Sequence, residues 1–234
     1  GQADIIIIAA GVPQKPGQSR SELLATNQVV VRSIIEGMGS FRSDLIIIVV
    51  TNPVDVLTFL VQKISGLPRS HIFGSGTLLD TDRLRRCVGE SIGIDPRSVD
   101  LFVLGEHGES QFVAWSTATI AGAPLIEFPG FSREACAEYA DAARKRVYEI
   151  IECKGATAFG VAACVASYCV DVIFDTKRIT PVSCYVEEYD LCMSMPAVIG
   201  ARGIEKVIIP LLSEEERHQC AASAATLRAD CAKI

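Results

Sequence analysis

The sequence predicts an α/β fold in which part of a parallel-sheet domain is followed by a second, α+β domain. Two segments, "DIIIIAAG" and "LIIIVVTNP", are almost uniformly apolar, as strands are when helices cover both faces of a parallel sheet. The segment between them, "SELLATNQVVVRSIIEGMGSF", has apolar residues at helical spacing and completes a β-α-β unit. From about residue 99 the pattern changes to mixed strands and long helical stretches. We therefore place the two domains at residues 1–68 and 69–234.

The remaining segments predict the other elements of these domains. "VDVLTFLVQKISG" predicts a helix, "HIFGSG" a short strand, and "LLDTDRLRRCVGESIG" another helix. "SVDLFVLGEHG" and "QFVAWSTATIAGAPL" predict strands, and residues 132–174 predict a long helix with a break near its middle. "RITPVSCYV", "LCMSMPAVIG" and "GIEKVII" predict an antiparallel sheet. A closing helix begins at a capping serine in "SEEERHQC".

The composition indicates a globular chain with a core of its own and narrows the kinds of partner. The chain has 234 residues and a net charge of −6, with no run of Lys or Arg, so we expect no nucleic-acid partner. No apolar run reaches the roughly 18 residues of a membrane span. The nine cysteines form no C-x-x-C pair and stand mostly among apolar residues. We therefore expect buried thiols in a reducing compartment, with neither disulfides nor a structural metal site.

The histidine in "VLGEHGES" is the first candidate for chemistry. His107 follows an apolar run that ends in a glycine, and the glycines on both sides allow backbone or ligand to approach closely. It can be a surface residue in a turn, or it can face a cleft and exchange a proton near neutral pH. The second role needs a carboxylate that fixes the tautomer. Glu106 and Glu109 are chain neighbours and point elsewhere, so we favour Asp80 of "GTLLDTDRLR".

An arginine accompanies this aspartate on the same predicted helix. Arg83 follows Asp80 by three residues, so the two side chains share one helix face. They can pair with each other. Alternatively, Asp80 faces His107 while Arg83 holds a substrate carboxylate through two parallel hydrogen bonds. The spacing alone leaves both alternatives open.

Polar residues also follow the two predicted parallel strands. "AAGVPQKPGQSR" predicts an exposed loop, and ligand sites of α/β domains lie in loops at the carboxyl ends of parallel strands. Arg20, at the end of this loop, is either an ordinary surface charge or a residue that a mobile loop brings over a substrate. Asn52, in "VTNP" at the same sheet edge, can bond a ligand or cap a turn.

Taken together, six segments resemble the lactate/malate dehydrogenase family, in its L-lactate dehydrogenase branch. They occur in the family's order and close to its spacing along nearly the whole chain, and they are "AAGVPQKPGQSR", "VTNPVDVLT", "GSGTLLDTDRLR", "VLGEHGES", "KGATAFGVA" and "GIEKVIIPLLSEEE". The resemblance implies the C-terminal part of a Rossmann-type domain followed by the family's α+β C-terminal domain. It also implies NAD-dependent interconversion of L-lactate and pyruvate in the cytoplasm, by a homo-oligomer that is a tetramer or a dimer.

The resemblance also implies a role for each polar candidate. His107 is the proton donor to pyruvate and the acceptor from lactate, and Asp80 stabilises its charged form. Arg83 clamps the substrate carboxylate, Arg20 polarises the ketone when the loop closes, and Asn52 touches both substrate and nicotinamide. Negative charge develops on the ketone oxygen during hydride transfer, so a proton and a nearby cation both stabilise it. The implied cofactor-lining residues are Gly11, Val12, Ser33, Val50, Thr51, Asn52 and Ser75.

Two positions bear on which acid is the substrate. Malate enzymes of this family carry an arginine for the second carboxylate of oxaloacetate where this chain has the neutral Gln14. A glutamine leaves that charge unpaired in a closing site. Thr157, in "KGAT", fits the lactate pattern as a residue that limits the pocket near the methyl group. The resemblance therefore favours pyruvate, with a malate or other 2-hydroxyacid dehydrogenase as the alternative.

The chain also departs from the family pattern. The G-x-G-x-x-G turn and the acidic residue for the adenosine ribose do not precede the first strand, so we expect that an N-terminal portion is missing. A truncated, inactive subunit that only oligomerises is therefore a further alternative. Arg85 matches an arginine that binds fructose 1,6-bisphosphate in some bacterial relatives, but Asp100 stands where those relatives have a histidine. This disfavours activation by the sugar phosphate.

Overall fold

The first third of the chain alternates strands and helices. The computed structural model describes residues 3–13, 19–154 and 158–234. Its first elements are β1 (Ile5–Ile8), α1 (Arg20–Met38), β2 (Ile46–Val49), α2 (Val54–Ile64) and β3 (Ile72–Gly74). β2 pairs in parallel with both β1 and β3, which confirms the predicted β-α-β unit. α1 begins where it does because Ser19 and Glu22 form a capping box, each side chain accepting the other's backbone N–H.

The middle of the chain forms one helix and five very short strands. These elements are α3 (Leu78–Ile92), β4 (Val99–Asp100), β5 (Val103–Leu104), β6 (Phe112–Val113), β7 (Thr119–Ile120) and β8 (Ala123–Pro124). Strands form in both segments where the sequence predicts them, but each is only two residues long, because turns and short 3₁₀ helices such as Trp115–Thr117 interrupt the ladders. The apolar residues instead form a separate buried cluster with α3, which includes Leu84 and Val88 of the helix together with Leu101 and Ile120.

The last part of the chain forms three helices and an antiparallel meander. Its elements are α4 (Arg133–Lys154), α5 (Ala158–Ile173), β9 (Arg178–Val186), β10 (Leu191–Gly200), β11 (Gly203–Val207) and α6 (Glu214–Cys231). β10 pairs antiparallel with β9 and β11, as the sequence predicts. The predicted helix break falls at residues 155–157, which lie outside the described residues. α6 begins after Ser213, whose hydroxyl accepts the Glu216 N–H, so the predicted serine cap is confirmed.

The parallel and antiparallel parts join into one six-stranded sheet. Its strand order is β1-β2-β3-β9-β10-β11, and the junction places Gly74 opposite Ser183. A Cβ on Gly74 would lie 2.4 Å from Thr58 Oγ1 and 2.9 Å from Ser183 Cβ, so a larger residue does not fit where β3, β9 and α2 meet. The sheet thus brings the carboxyl ends of β1, β2 and β3 beside the C-terminal part of the chain. The domain boundary after residue 68 stays a prediction, and β3, which follows it in sequence, still pairs with β2.

The cysteines are free thiols wherever their side chains are described. Four of them are buried, namely Cys164, Cys184, Cys192 and Cys220, and the others described are half-buried. Burial raises the pKa of the Cys184 thiol to about 12, which keeps it protonated and unreactive at neutral pH. Within the described ranges, no helix combines the length and apolarity needed to cross a membrane.

Candidate active site

His107 lies in a turn after β5 that two distant elements hold in place. Gly105 exchanges two backbone hydrogen bonds with Ser194 of β10, at 3.0 and 2.8 Å. The Glu106 N–H donates to Ser223 Oγ of α6 at 2.7 Å. Gly105 has a φ of 89°, and a Cβ there would lie 2.7 Å from Ser223 Oγ, so glycine is required on both counts. The turn that presents His107 is therefore fixed by β10 and α6.

The His107 ring is hydrogen-bonded to Asp80, as the sequence predicts. Nδ1 of His107 lies 2.9 Å from Asp80 Oδ2. The alignment comes from α3, whose first turns are attached to β5 by two side chains. Thr77 Oγ1 donates to the Val103 carbonyl, and the Val103 N–H donates to Thr81 Oγ1 at 3.0 Å. With Nδ1 bonded to the carboxylate, Nε2 is left to exchange a proton with a ligand.

Arg83 lies beside the same carboxylate, at a distance too long for a hydrogen bond. Its Nη1 is 3.8 Å from Asp80 Oδ1, and the side chains of Arg83 and Asp80 are 14% and 13% exposed. Asp80 therefore faces His107 with one oxygen and Arg83 with the other, so the contact with His107 and a loose contact with Arg83 coexist. The loose contact leaves guanidinium N–H groups of Arg83 available for a second carboxylate.

A second carboxylate, Asp55 of α2, lies beneath the same turn. Its Oδ2 accepts the His107 N–H at 2.7 Å, and the residue is fully buried. Burial raises the pKa of Asp55, and the hydrogen bonds it accepts only partly offset this. For His107, burial lowers the pKa, but the charge and hydrogen bond of Asp80, with a contribution from Asp55, raise it overall. His107 is thus biased towards its protonated form, which suits a proton donor near neutral pH.

Arg20, the first residue of α1, extends to this turn from the other side. Its Nη2 lies 2.6 Å from Glu106 Oε1 and donates to the His107 carbonyl at 3.3 Å. Its Nε lies 3.9 Å from Asp230 Oδ2 near the end of α6. Arg20 is therefore no ordinary surface charge: its guanidinium adjoins the turn that carries His107.

The carboxyl ends of the parallel strands form a continuous polar edge. The Thr51 hydroxyl lies within donating distance of two carbonyls at the end of β1, those of Ile8 at 3.1 Å and Ala10 at 2.8 Å. A Cβ on Gly11 would lie 2.5 Å from Thr51 Cγ2, so glycine allows this close approach. Val50 and Ser75 are half-buried at the ends of the next two strands, and the Ser75 N–H donates to the Val49 carbonyl at 2.8 Å.

Two side chains that sequence reasoning missed hold this edge together. Asn27 of α1 donates to the carbonyls of Val12 and Asn52 at 3.2 and 2.8 Å, and it accepts the Val12 N–H at 2.8 Å. Tyr168 of α5 is buried, and its hydroxyl lies 2.8 Å from the Ser75 carbonyl. Both are polar residues at buried positions of otherwise apolar helix faces, a signal that is visible in the helical spacing.

Asp55 and Glu106 are the other residues whose contacts the sequence did not reveal. Both are acids in short segments already singled out, "VTNPVDVLT" and "VLGEHGES". Their partners, His107 for Asp55 and Arg20 for Glu106, are more than 50 residues away in the chain. No local pattern identifies such pairs, although an acid next to a buried strand end is itself a signal.

The structure brings together most of the predicted site residues and leaves some unplaced. His107, Asp80, Arg83 and Arg20 cluster around one turn, and the predicted cofactor residues at the ends of β1, β2 and β3 share one edge. Asn52 is exposed, and its Oδ1 accepts the Val54 N–H at 3.3 Å, which is the turn-capping role. Ser33 is exposed on α1. Gln14 and Thr157 lie outside the described residues. Among the residues that are described, no group of three or more His, Cys, Asp or Glu is placed to hold a metal ion.

Comparison with known proteins identifies the family along the whole chain. Residues 1–74 match the model of the lactate/malate dehydrogenase NAD binding domain, and residues 77–234 match that of the lactate/malate dehydrogenase alpha/beta C-terminal domain. L-lactate dehydrogenase A of Rhizopus oryzae is 46% identical over 217 residues, which cover 92% of this chain and 68% of that protein. L-lactate dehydrogenase of Pediococcus acidilactici is 40% identical over 97% of this chain and 72% of its own length.

Solved structures give the same result for the fold. The minor L-lactate dehydrogenase of Enterococcus mundtii in its ligands-bound form superposes with a TM-score of 0.93 at 33% identity, covering 100% of this chain and 77% of that one. A lactate dehydrogenase from a Medee basin deep-sea metagenome gives a TM-score of 0.91, also at 33% identity. The resemblance read from six short segments is thereby confirmed, and the chain belongs to the lactate/malate dehydrogenase family of oxidoreductases.

Proposed function

We propose that this chain is an NAD-dependent L-lactate dehydrogenase that interconverts pyruvate and L-lactate. The observation that carries the proposal is the cluster in which Asp80 contacts the His107 ring on one side and Arg83 on the other. Family membership alone is compatible with either lactate or malate chemistry. The cluster supplies a proton donor and a carboxylate-binding arginine that serve both, so the choice of acid rests on Gln14.

The residues present fit a nicotinamide dinucleotide at the carboxyl edge of β1, β2 and β3. Gly11 lets the end of β1 pack closely against Thr51 and Asn27, Val12 and Asn52 are exposed, and Asn27 fixes the relative position of the two loops. Ser75 extends the edge to β3, and Tyr168 holds its carbonyl. When bound, the cofactor would supply or accept the hydride at the carbonyl carbon of the substrate.

The side chains of the cluster divide the remaining work among themselves. Arg83 binds the substrate carboxylate through two parallel hydrogen bonds, which fixes the orientation of the ketone. His107 donates the proton on Nε2 to the ketone oxygen during reduction and recovers it during oxidation. Asp80 keeps the ring oriented through Nδ1 and stabilises the imidazolium. Arg20 places a second positive charge near the oxygen on which negative charge develops.

Gln14 is the basis for proposing pyruvate rather than oxaloacetate. It is neutral, so a second carboxylate at this position would be desolvated without a counter-charge as the site closes. Thr157 is proposed to limit the space near the methyl group. The enzyme is further proposed to act as a homo-oligomer, since Phe159, Ile173 and Phe174 leave an exposed apolar face on and just after α5.

The test is NADH oxidation by the chain with pyruvate and oxaloacetate measured side by side. We expect kcat/KM for pyruvate to exceed that for oxaloacetate by at least tenfold. In the variant Gln14→Arg the preference should move towards oxaloacetate. The matched control, Gln18→Arg, adds the same charge four residues further along the sequence and should leave the preference unchanged. Preference for oxaloacetate in the unmodified chain would overturn the assignment of substrate. Folded protein without turnover on either acid would favour the inactive, oligomerising subunit.

A further inference from the structure

The carboxylate of Glu106 is buried and has one close cationic partner among the described residues. Glu106 is 1% exposed. Its Oε2 accepts hydrogen bonds from the N–H and the hydroxyl of Ser110. Its Oε1 lies 2.6 Å from Arg20 Nη2 and has no hydrogen bond of good geometry to the described part of the chain, so this contact is an ion pair. A buried carboxylate without a counter-charge is costly, so the charges of Glu106 and Arg20 depend on each other.

The turn is shaped to receive the guanidinium of Arg20. A Cβ on Gly108 would lie 2.1 Å from Arg20 Nη1 and 3.0 Å from Glu106 Cδ. The missing side chain at residue 108 therefore opens the space in which the guanidinium rests. The carbonyl of His107 accepts from the same Nη2 that pairs with Glu106. Charge, space and a backbone acceptor thus converge on one position of the guanidinium.

Asp230 also lies near Arg20 but interacts with it differently. It is 3.9 Å from Arg20 Nε, whereas Lys233 Nζ is 2.6 Å from Asp230 Oδ1. Its charge is therefore compensated mainly by Lys233. Asp230 provides a natural control, because it is a second carboxylate beside Arg20 that does not hold the guanidinium.

We propose that Glu106 is a positioning residue that holds Arg20 against the turn bearing His107. This rests on the proposed function, in which Arg20 stabilises the reacting oxygen. Glu106 acts only through Arg20: its buried charge fixes the rotamer of a long, half-exposed side chain. Because Arg20 is already ordered, the entropic cost of ordering its side chain does not add to the activation free energy of the catalytic step.

The test is a double-mutant cycle on kcat for pyruvate reduction. Glu106→Gln keeps the shape of the side chain and removes its charge, and we expect kcat to fall about tenfold or more. In the Arg20→Gln background the same change should alter kcat less than twofold, because the group through which Glu106 acts is gone. Asp230→Asn should stay within twofold of the unmodified chain. Gly108→Ala keeps the charge of Glu106 but places a methyl group where the Arg20 guanidinium rests, so it should lower kcat like Glu106→Gln.

A second measurement needs neither cofactor nor substrate. The variant Arg20→Gln leaves the buried Glu106 without its cation. We therefore expect the melting temperature of Arg20→Gln to lie roughly 3 °C or more below that of the double variant Arg20→Gln/Glu106→Gln. A purely structural Glu106 would give the opposite order, with the double variant less stable than Arg20→Gln.

The outcomes separate this inference from the proposed function. An unmodified chain that reduces pyruvate while Glu106→Gln and Gly108→Ala keep kcat within twofold would overturn the positioning role alone. An equal loss from Glu106→Gln in both backgrounds would also overturn it, because the residue would then act independently of Arg20. An unmodified chain that turns over neither acid would refute the proposed function, and with it any catalytic purpose of the Glu106–Arg20 pair.

Discussion

Replacing Asp80 by asparagine should slow pyruvate reduction about 100-fold by depleting protonated His107. The two groups are 2.9 Å apart between Nδ1 and Oδ2. At an effective dielectric constant of about 20, two unit charges at this distance attract by about 6 kcal/mol. The His107 side chain is 30% exposed, so we discount this energy by about half, to roughly 3 kcal/mol. At about 1.4 kcal/mol per factor of ten, this corresponds to roughly 100-fold in rate at neutral pH.

The same substitution should also shift the pH dependence of pyruvate reduction in a defined direction. Asp80 helps to raise the pKa of His107, and pyruvate reduction needs the protonated ring. Without the carboxylate that pKa falls, so the alkaline limb of kcat/KM should move to lower pH and activity should partly recover in acid. The assay is initial-rate NADH oxidation from pH 5 to 9, with Asp82→Asn as a control two residues along the same helix. An alkaline limb at the same pH in Asp80→Asn and in the unmodified chain would show that Asp80 does not set the protonation of His107.

Variants of Arg83, Asp55 and Tyr168 test other contacts around the same site. Arg83→Lys should raise the KM for pyruvate about 100-fold, because lysine cannot make two parallel hydrogen bonds; the exposed Arg86→Lys is the control, and equal KM values would contradict the clamp. The folded-state pKa of Asp55 is raised, so the unmodified chain loses free energy of unfolding as the pH rises and Asp55 ionises. Asp55→Asn has no such group, so its free energy of unfolding should increase relative to that of the unmodified chain between pH 5 and pH 8. Urea unfolding at the two pH values checks this, and a pH-independent difference would count against it. Tyr168→Phe should cost about 1–3 kcal/mol of unfolding free energy and raise the KM for NADH, since the carbonyl of the half-buried Ser75 loses a donor. Tyr139→Phe is the control, and an unchanged urea midpoint would rule the role out.

Local patterns in the sequence were sufficient to predict most regular elements and to choose Asp80 as the partner of His107. The apolar runs predicted both β1 and β2, because strands buried on both faces must be apolar throughout. β2 is buried along its whole length, whereas β1 is only partly covered and Ile7 is 46% exposed. The serine cap predicted for α6 is present because capping needs only residues three apart in the chain. Asp80 was chosen over the acids next to His107 because neighbours in a chain point in different directions, and the 2.9 Å contact agrees with that choice.

Tertiary structure decided the contacts that no spacing encodes. The apolar alternation between residues 99 and 124 did not become long strands, because its side chains pack on α3 rather than into an extended ladder. The union of β3 with β9 depends on a glycine at one crowded crossing.

The amino-acid sequence specifies which chemical groups this protein carries and the local elements in which most of them lie. Only the fold decided that Asp55 would lie beneath His107 and Glu106 beside Arg20. Both acids are buried, and each needs a partner from a remote segment to offset its desolvation. Periodicity reports which face of an element is buried, whereas the partner that a buried charge meets depends on how all the elements pack.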